Sequence, residues 1–201
     1  MNPLNTVSGT LIAGFLLSAV IALITSLAGP TSIGPIIIWT HVAAGVTWIG
    51  LLYYFNFVQV PGLAEAASDE GGPGGAGVTK YIAPRALLWF RWAALLTWVS
   101  GAFYLMVNGD LIGAFLLGLD GQPNAQYQLT IGVGAWAGTI MLFNVWILIW
   151  PNQKKVLGIV EASADEINRA KRIAFLASRT NTLLSIPMLM SMVGAHHGYF
   201  M

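Results

Sequence analysis

Residues 36–61 read I-I-I-W-T-H-V-A-A-G-V-T-W-I-G-L-L-Y-Y-F-N-F-V-Q-V-P, and this stretch sets the fold class. A helix that crosses a bilayer needs about 20 mostly apolar residues, and this run has them. Inside it lies His41, the only histidine before position 196. An imidazole placed in hydrocarbon is costly, so an intramembrane histidine reads as a functional site whose partner must be found. At helical spacing Ile38, His41, Gly45, Trp48 and Leu52 share one face. That face offers a ligand, then a position without a side chain, then a large aromatic, and a flat cofactor fits such a surface. The plain alternative is a histidine hydrogen-bonded to a backbone carbonyl of a neighbouring helix.

Composition agrees with a membrane protein. Of 201 residues, 56% are hydrophobic and 8% are charged, against about 25% charged in soluble domains. The chain has no cysteine, which excludes disulfides, iron–sulfur clusters, thiolate ligation and covalently attached c-type haem. No Lys or Arg precedes Lys80, so the first apolar stretch lacks the basic region of a cleaved signal peptide and reads as a retained helix.

The expected fold is all-α: one polytopic transmembrane helix bundle over residues 1–201, with five spans near 8–29, 34–60, 84–107, 127–150 and 173–194. Gly29-Pro30 should stop the first span, and Pro35 suits the first turn of the second, giving a tight hairpin. Pro61 should end the second span. The glycine-rich run 67–77 reads as a flexible loop without phosphate-binding chemistry. Leu111 to Leu119 is apolar but too short to cross, and is expected at the interface or re-entering. Gly134 and Gly138 give the fourth span a small-residue packing face. Trp150 and Pro151 mark its far end, before a short basic amphipathic segment. Ser163 and Glu166 match a capping box that starts the fifth helix, and Pro187 should kink that helix.

All nine Lys and Arg residues fall between 80 and 91 or between 154 and 179. Cytoplasmic loops of membrane proteins are enriched in these residues, so the N-terminus is expected inside and the C-terminus outside, in the plasma (inner) membrane of a bacterium. Arg91 and Arg179, just inside their spans, read as snorkelling to the headgroups. With this orientation His41 lies roughly 10 Å below the outer surface by helix rise. His196 and His197 end the fifth helix in the same leaflet.

Three sites fit. One is a b-type haem held by His41 and by one of His196 and His197, with Gly45 making room and Trp48 packing on the ring. Trp39, Thr40, Asn108 and Gln128 would then meet its propionates, since no cation lies on the outer side. The second is a copper or zinc site of imidazoles with Asp110 or Asp120, to which Met188 and Met192, but not Met190, could add ligands for copper. The third holds no metal. The leading expectation is a b-type haem protein exchanging electrons with a periplasmic partner such as a cytochrome c. The alternative is a non-catalytic accessory subunit of a larger membrane redox complex. The lipid bilayer is the expected surrounding, and no nucleic-acid partner is expected. No carboxylate pair or nucleophile–base arrangement within the spans argues for hydrolysis or group transfer.

Four stretches carry a family resemblance. H-V-A-A-G-V-T-W-I-G-L-L-Y-Y-F-N (residues 41–56) resembles the signature helix of the membrane domain of the cytochrome c-linked, membrane-bound urate hydroxylases. W-F-R-W-A-A-L-L-T-W-V-S-G (89–101), N-V-W-I-L-I-W-P-N-Q-K-K-V (144–156) and S-R-T-N-T-L-L-S-I-P-M-L (178–189) resemble further stretches of that family in the same order. A terminal histidine follows in both. The resemblance implies the helical fold and functional positions at His41 and His196. The family carries more transmembrane helices and a C-terminal cytochrome c domain, which these 201 residues do not contain, and it often has a histidine where this chain has Leu88.

Overall fold

The computed structural model describes residues 2–27, 29 and 32–198, and among these no strand occurs. The chain divides into two compact units, Met1–Pro35 and Ile36–Met201. Among the described residues five helical stretches are long and apolar enough to cross a membrane: Val7–Ser26, Gly34–Ser68, Val78–Val107, Ala125–Val156 and Ala164–His197. The five expected spans are all present, and four of the five extend well beyond their expected bounds.

In the first unit, α1 (Val7–Ser26) starts at Thr6, whose hydroxyl oxygen accepts from the Gly9 amide. The polar interruptions of this span are satisfied inside the helix: Ser18 donates to the Gly14 carbonyl and Ser26 to that of Leu23. Pro30, half of the expected Gly29-Pro30 stop, lies outside the described residues.

In the second unit, α2 (Gly34–Tyr54) does not end at Pro61. It passes through a π-helical turn, Phe55–Gln59, into α3 (Val60–Ser68). The same device recurs twice. A π turn at Val78–Ile82 leads into α4 (Ala83–Val107), and another at Asn144–Ile149 joins α6 (Ala125–Phe143) to α7 (Trp150–Val156). In each case a wide i to i−5 bond closes the turn: Val60 N–H to Phe55, Ala83 to Val78, and Trp150 to Val145. The next residue is the proline, Pro61, Pro84 or Pro151. A proline inside an α-helix removes one amide and crowds the carbonyl four residues back. Widening the preceding turn shifts the hydrogen-bond offset and gives the ring room, so the helix continues. Pro61 and Pro151 are therefore not helix ends, and the basic segment after Trp150 is the end of the fourth rod.

The apolar segment after α4 forms one short helix, α5 (Leu111–Phe115). It packs so closely on α6 that a Cβ at Gly132 would strike the Ala114 carbonyl. α8 (Ala164–His197) starts with the expected capping box: Ser163 Oγ accepts from the Glu166 amide, and the Glu166 carboxylate accepts from the Ser163 amide at 2.9 Å. α8 is continuous through Pro187.

The core of the bundle is built from Trp48, Leu52, Phe90, Met141 and Val145, with Phe55 and Phe90 meeting edge to face at 5.4 Å. Small residues, Ala93, Ala94, Ala137, Ala174 and Ala177, are buried between helices and allow the close backbone approach that membrane bundles use. Polar side chains bridge the same interfaces. Asn144 Nδ2 donates to Asn181 Oδ1 at 2.8 Å, and Asn181 Nδ2 donates to the Met141 carbonyl at 3.0 Å. Asn56 donates to Ser178, and Tyr53 hydrogen-bonds Ser185. Ser191 Oγ donates to the Thr130 carbonyl across α8 and α6.

Candidate functional site

A cavity of about 700 Å³ lies within the second unit, inside the roughly 300–1,000 Å³ range of small-molecule and cofactor sites. The early part of α2 (Ile38, His41, Gly45, Trp48) and of α6 (Ile131, Gly134, Gly138) face the late part of α4 (Thr97, Gly101, Tyr104) and of α8 (Met188, Met192, His196, His197). Consecutive long helices of this unit therefore alternate in direction around the cavity. His41, Gly45, Trp48, His196 and His197, the whole expected set, share this one lining.

His41 is half-buried, and its Nδ1 lies 2.8 Å from the carbonyl oxygen of Thr97 on α4. A carbonyl only accepts, so Nδ1 carries the proton and Nε2 keeps its lone pair. The hydrogen bond of the plain alternative is thus present. It is also the arrangement by which a second-layer carbonyl orients a ligating imidazole and fixes its tautomer. Gly101 makes the placement possible: a Cβ there would stand 2.8 Å from His41 Cε1 and 2.9 Å from Nδ1.

His196 follows the same logic within its own helix. Its Nδ1 lies 3.1 Å from the Met192 carbonyl, again leaving Nε2 free, and its ring is 6.0 Å from those of both Tyr104 and Tyr127. The two imidazoles come from α2 and α8 and line one space. Gly138 lines it too, and nothing stands within 4 Å of where its Cβ would be. Its expected packing role belongs to Gly134 alone, which meets Met192 and Ser191. Trp48 is 2% exposed, and its indole Nε1 is buried without an acceptor.

Other expected residues lie elsewhere. Asp110 accepts from Asn124 and, at 3.4 Å, from Gln128. Neither Asp110 nor Asp120 lines the cavity, and nor do Trp39, Thr40, Asn108 or Gln128. Among the described residues no three of His, Asp or Glu form a group able to hold a metal ion, so the imidazole–aspartate set is not assembled. Met188 and Met192 line the cavity and Met190 does not. Arg91 stacks its guanidinium 3.8 Å from the centre of the Trp150 ring, an interaction that sequence reading did not suggest.

Thr97 and Gly101 were also not legible as site residues. The only signal was the T-W-V-S-G run, which does not reveal which helix it faces. The buried Asn56, Asn144 and Asn181 had a clearer one, each being an amide within an apolar stretch.

Fold and cavity define a helical bundle suited to a membrane, with a pocket lined by three histidines. Residues 123–201, from just before α6 to the end of the chain, match the family described as urate oxidase N-terminal. That match includes the stretches 144–156 and 178–189 and the His196–His197 end of the lining. No curated protein and no solved structure matches the chain.

Proposed function

We propose that this protein binds a b-type haem in the cavity, where His41 and His196 would hold its iron through Nε2. The observation that carries this reading is the pair of imidazoles, one from α2 and one from α8, each with Nδ1 on a backbone carbonyl, lining one cavity of about 700 Å³. A b-type haem supplies one-electron redox chemistry when held this way. The residues fit such a group. Gly138 leaves open space beside it, and Met188 and Met192 give an apolar wall. Thr97 and Gly101 fix the His41 ring. Tyr104 and Tyr127 flank that of His196.

The same reading places the protein in the plasma membrane of a bacterium as a multi-pass protein, N-terminus inside and C-terminus outside. The segregation of all nine cations supports this orientation. His196 then lies near the outer surface, where electrons pass to or from a periplasmic partner such as a cytochrome c.

The test is an optical and electron paramagnetic resonance spectrum of the protein purified after expression with adequate haem supply. A low-spin, bis-imidazole haem signal is expected at one per chain. His41→Ala and His196→Ala should each abolish the low-spin signal, while His197→Ala should keep it. A reduced-minus-oxidised spectrum without α and Soret bands would refute haem binding, and an unchanged spectrum in His41→Ala would refute the ligand assignment.

A further inference from the structure

The outward side of α8 carries two arginines. Leu176, Leu183 and Ile186 form an apolar stripe there, 46–67% exposed. Arg172 and Arg179, two turns apart and both exposed, lie on the same stripe, since residues spaced by three, four or seven share a helix face. Both guanidinium groups turn onto one ring. The Arg179 guanidinium carbon lies 5.2 Å from the centre of the Phe175 ring, and that of Arg172 lies 6.0 Å from it. Such a contact leaves the N–H donors unspent. Among the described residues the one ion pair is Lys155–Glu166, and neither arginine hydrogen-bonds a described residue. Asp165, the nearest acid on the stripe, lies two further turns toward the start of the helix. Two like charges are thus brought to one ring, with accessible donors and no carboxylate of the described chain to neutralise them.

Their depth fixes the setting. Arg179 stands eighteen residues before His197, roughly 27 Å by helix rise, close to the full thickness of a hydrocarbon core of about 30 Å. With the histidine end at one surface, Arg179 sits at the opposite edge of the hydrocarbon, and Arg172 lies in the headgroup layer. Helical side chains lean toward the N-terminus, so Arg179 reaches toward that layer. Snorkelling requires only that each chain reach water, and does not bring two guanidinium groups together.

We propose that Arg172 and Arg179, astride Phe175, hold the phosphate of an anionic phospholipid whose acyl chains run along Leu176 and Leu183. Guanidinium N–H forks match phosphate oxygens, and a charge at the hydrocarbon edge needs a counter-ion. The stripe gives the acyl chains a surface that leads from the phosphate into the core. Two positive charges favour a headgroup of net negative charge, such as phosphatidylglycerol, over a zwitterionic one whose choline they repel. The proposal depends neither on what fills the cavity nor on which side of the membrane this end faces.

The test is native mass spectrometry of the full chain in detergent, titrated with phosphatidylglycerol or with phosphatidylcholine of the same acyl chains. One phosphatidylglycerol per chain should bind about 25-fold tighter than phosphatidylcholine, taking about fivefold for each arginine near an anionic headgroup. Arg172→Gln and Arg179→Gln should each remove about fivefold of that preference, and the double variant nearly all of it. The double variant Lys80→Gln, Arg85→Gln, which removes two exposed cations at the start of the third long helix, should keep it. On the unaltered protein, millimolar inorganic phosphate should leave the bound lipid in place, a result that requires no variant to fold. Equal affinity for the two lipids would overturn the proposal. So would an equal loss in the Lys80, Arg85 control, which would show only diffuse surface charge. Displacement by inorganic phosphate would overturn it in favour of a site for the free ion. Co-purification of a stoichiometric protein that must be removed before any lipid binds would overturn it in favour of a protein partner.

Discussion

His41 is held by two residues of another helix. Thr97 gives its carbonyl, and Gly101 gives up a side chain. Gly101→Ala should therefore push the imidazole off its acceptor and cost about 1–3 kcal/mol, the usual range for overfilling a packed site. Gly50→Ala is the matched control, because nothing lies within 4 Å of its Cβ position, and it should change stability little. Thermal unfolding in detergent compares the two. A Gly101→Ala protein as stable as the Gly50→Ala one would mean that His41 is not confined as described. The histidines themselves were legible in the sequence, because three imidazoles in so apolar a chain stand out and cation placement puts them in one leaflet. Their confinement was not legible. A glycine or a backbone carbonyl has no distinctive chemistry until the phase of the opposing helix is known.

The long helices are joined by amides as well as by apolar packing. Asn181 is fully buried and ties α8 to α6 through Asn144 and the Met141 carbonyl. Asn181→Ala strands the Asn144 amide and should lower stability by roughly 1–2 kcal/mol, toward the upper end for interhelical hydrogen bonds in membrane proteins. Thr180→Ala, which removes an exposed hydroxyl bonded within its own helix, should be near neutral. Resistance to unfolding by a denaturing detergent measures both, and equal effects would deny the bridge its role. At this scale the spans were legible from apolar length alone, while four of their ends were displaced, three of them at a proline. Proline stops a helix only when the turn before it stays regular. The widened turns at Phe55–Gln59 and Asn144–Ile149 leave no mark in residue type, since they arise from how the backbone accommodates the next ring.

For the whole molecule, cation placement and the alternating course of the helices make one joint prediction. The glycine-rich loop near Gly74 lies on the side of the nine cations, and the histidine end of α8 on the other. A reporter active only in the cytoplasm should work when fused at Gly74, and one active only in the periplasm should work at the C-terminus. The reverse pattern would invert the proposed site and place its electron partner on the other face. The cavity has a further property. Val42, Val46, Leu189 and Val193 both line it and are exposed, at 40–69% of their surface, so it opens sideways between helices as well as at the exposed His196–His197 end. For an occupant that enters through the sideways opening from a bilayer, the relevant concentration would be its mole fraction among lipids. An affinity measured in detergent will therefore drift with the detergent-to-protein ratio. Values from different preparations become comparable only when expressed per unit of hydrophobic phase.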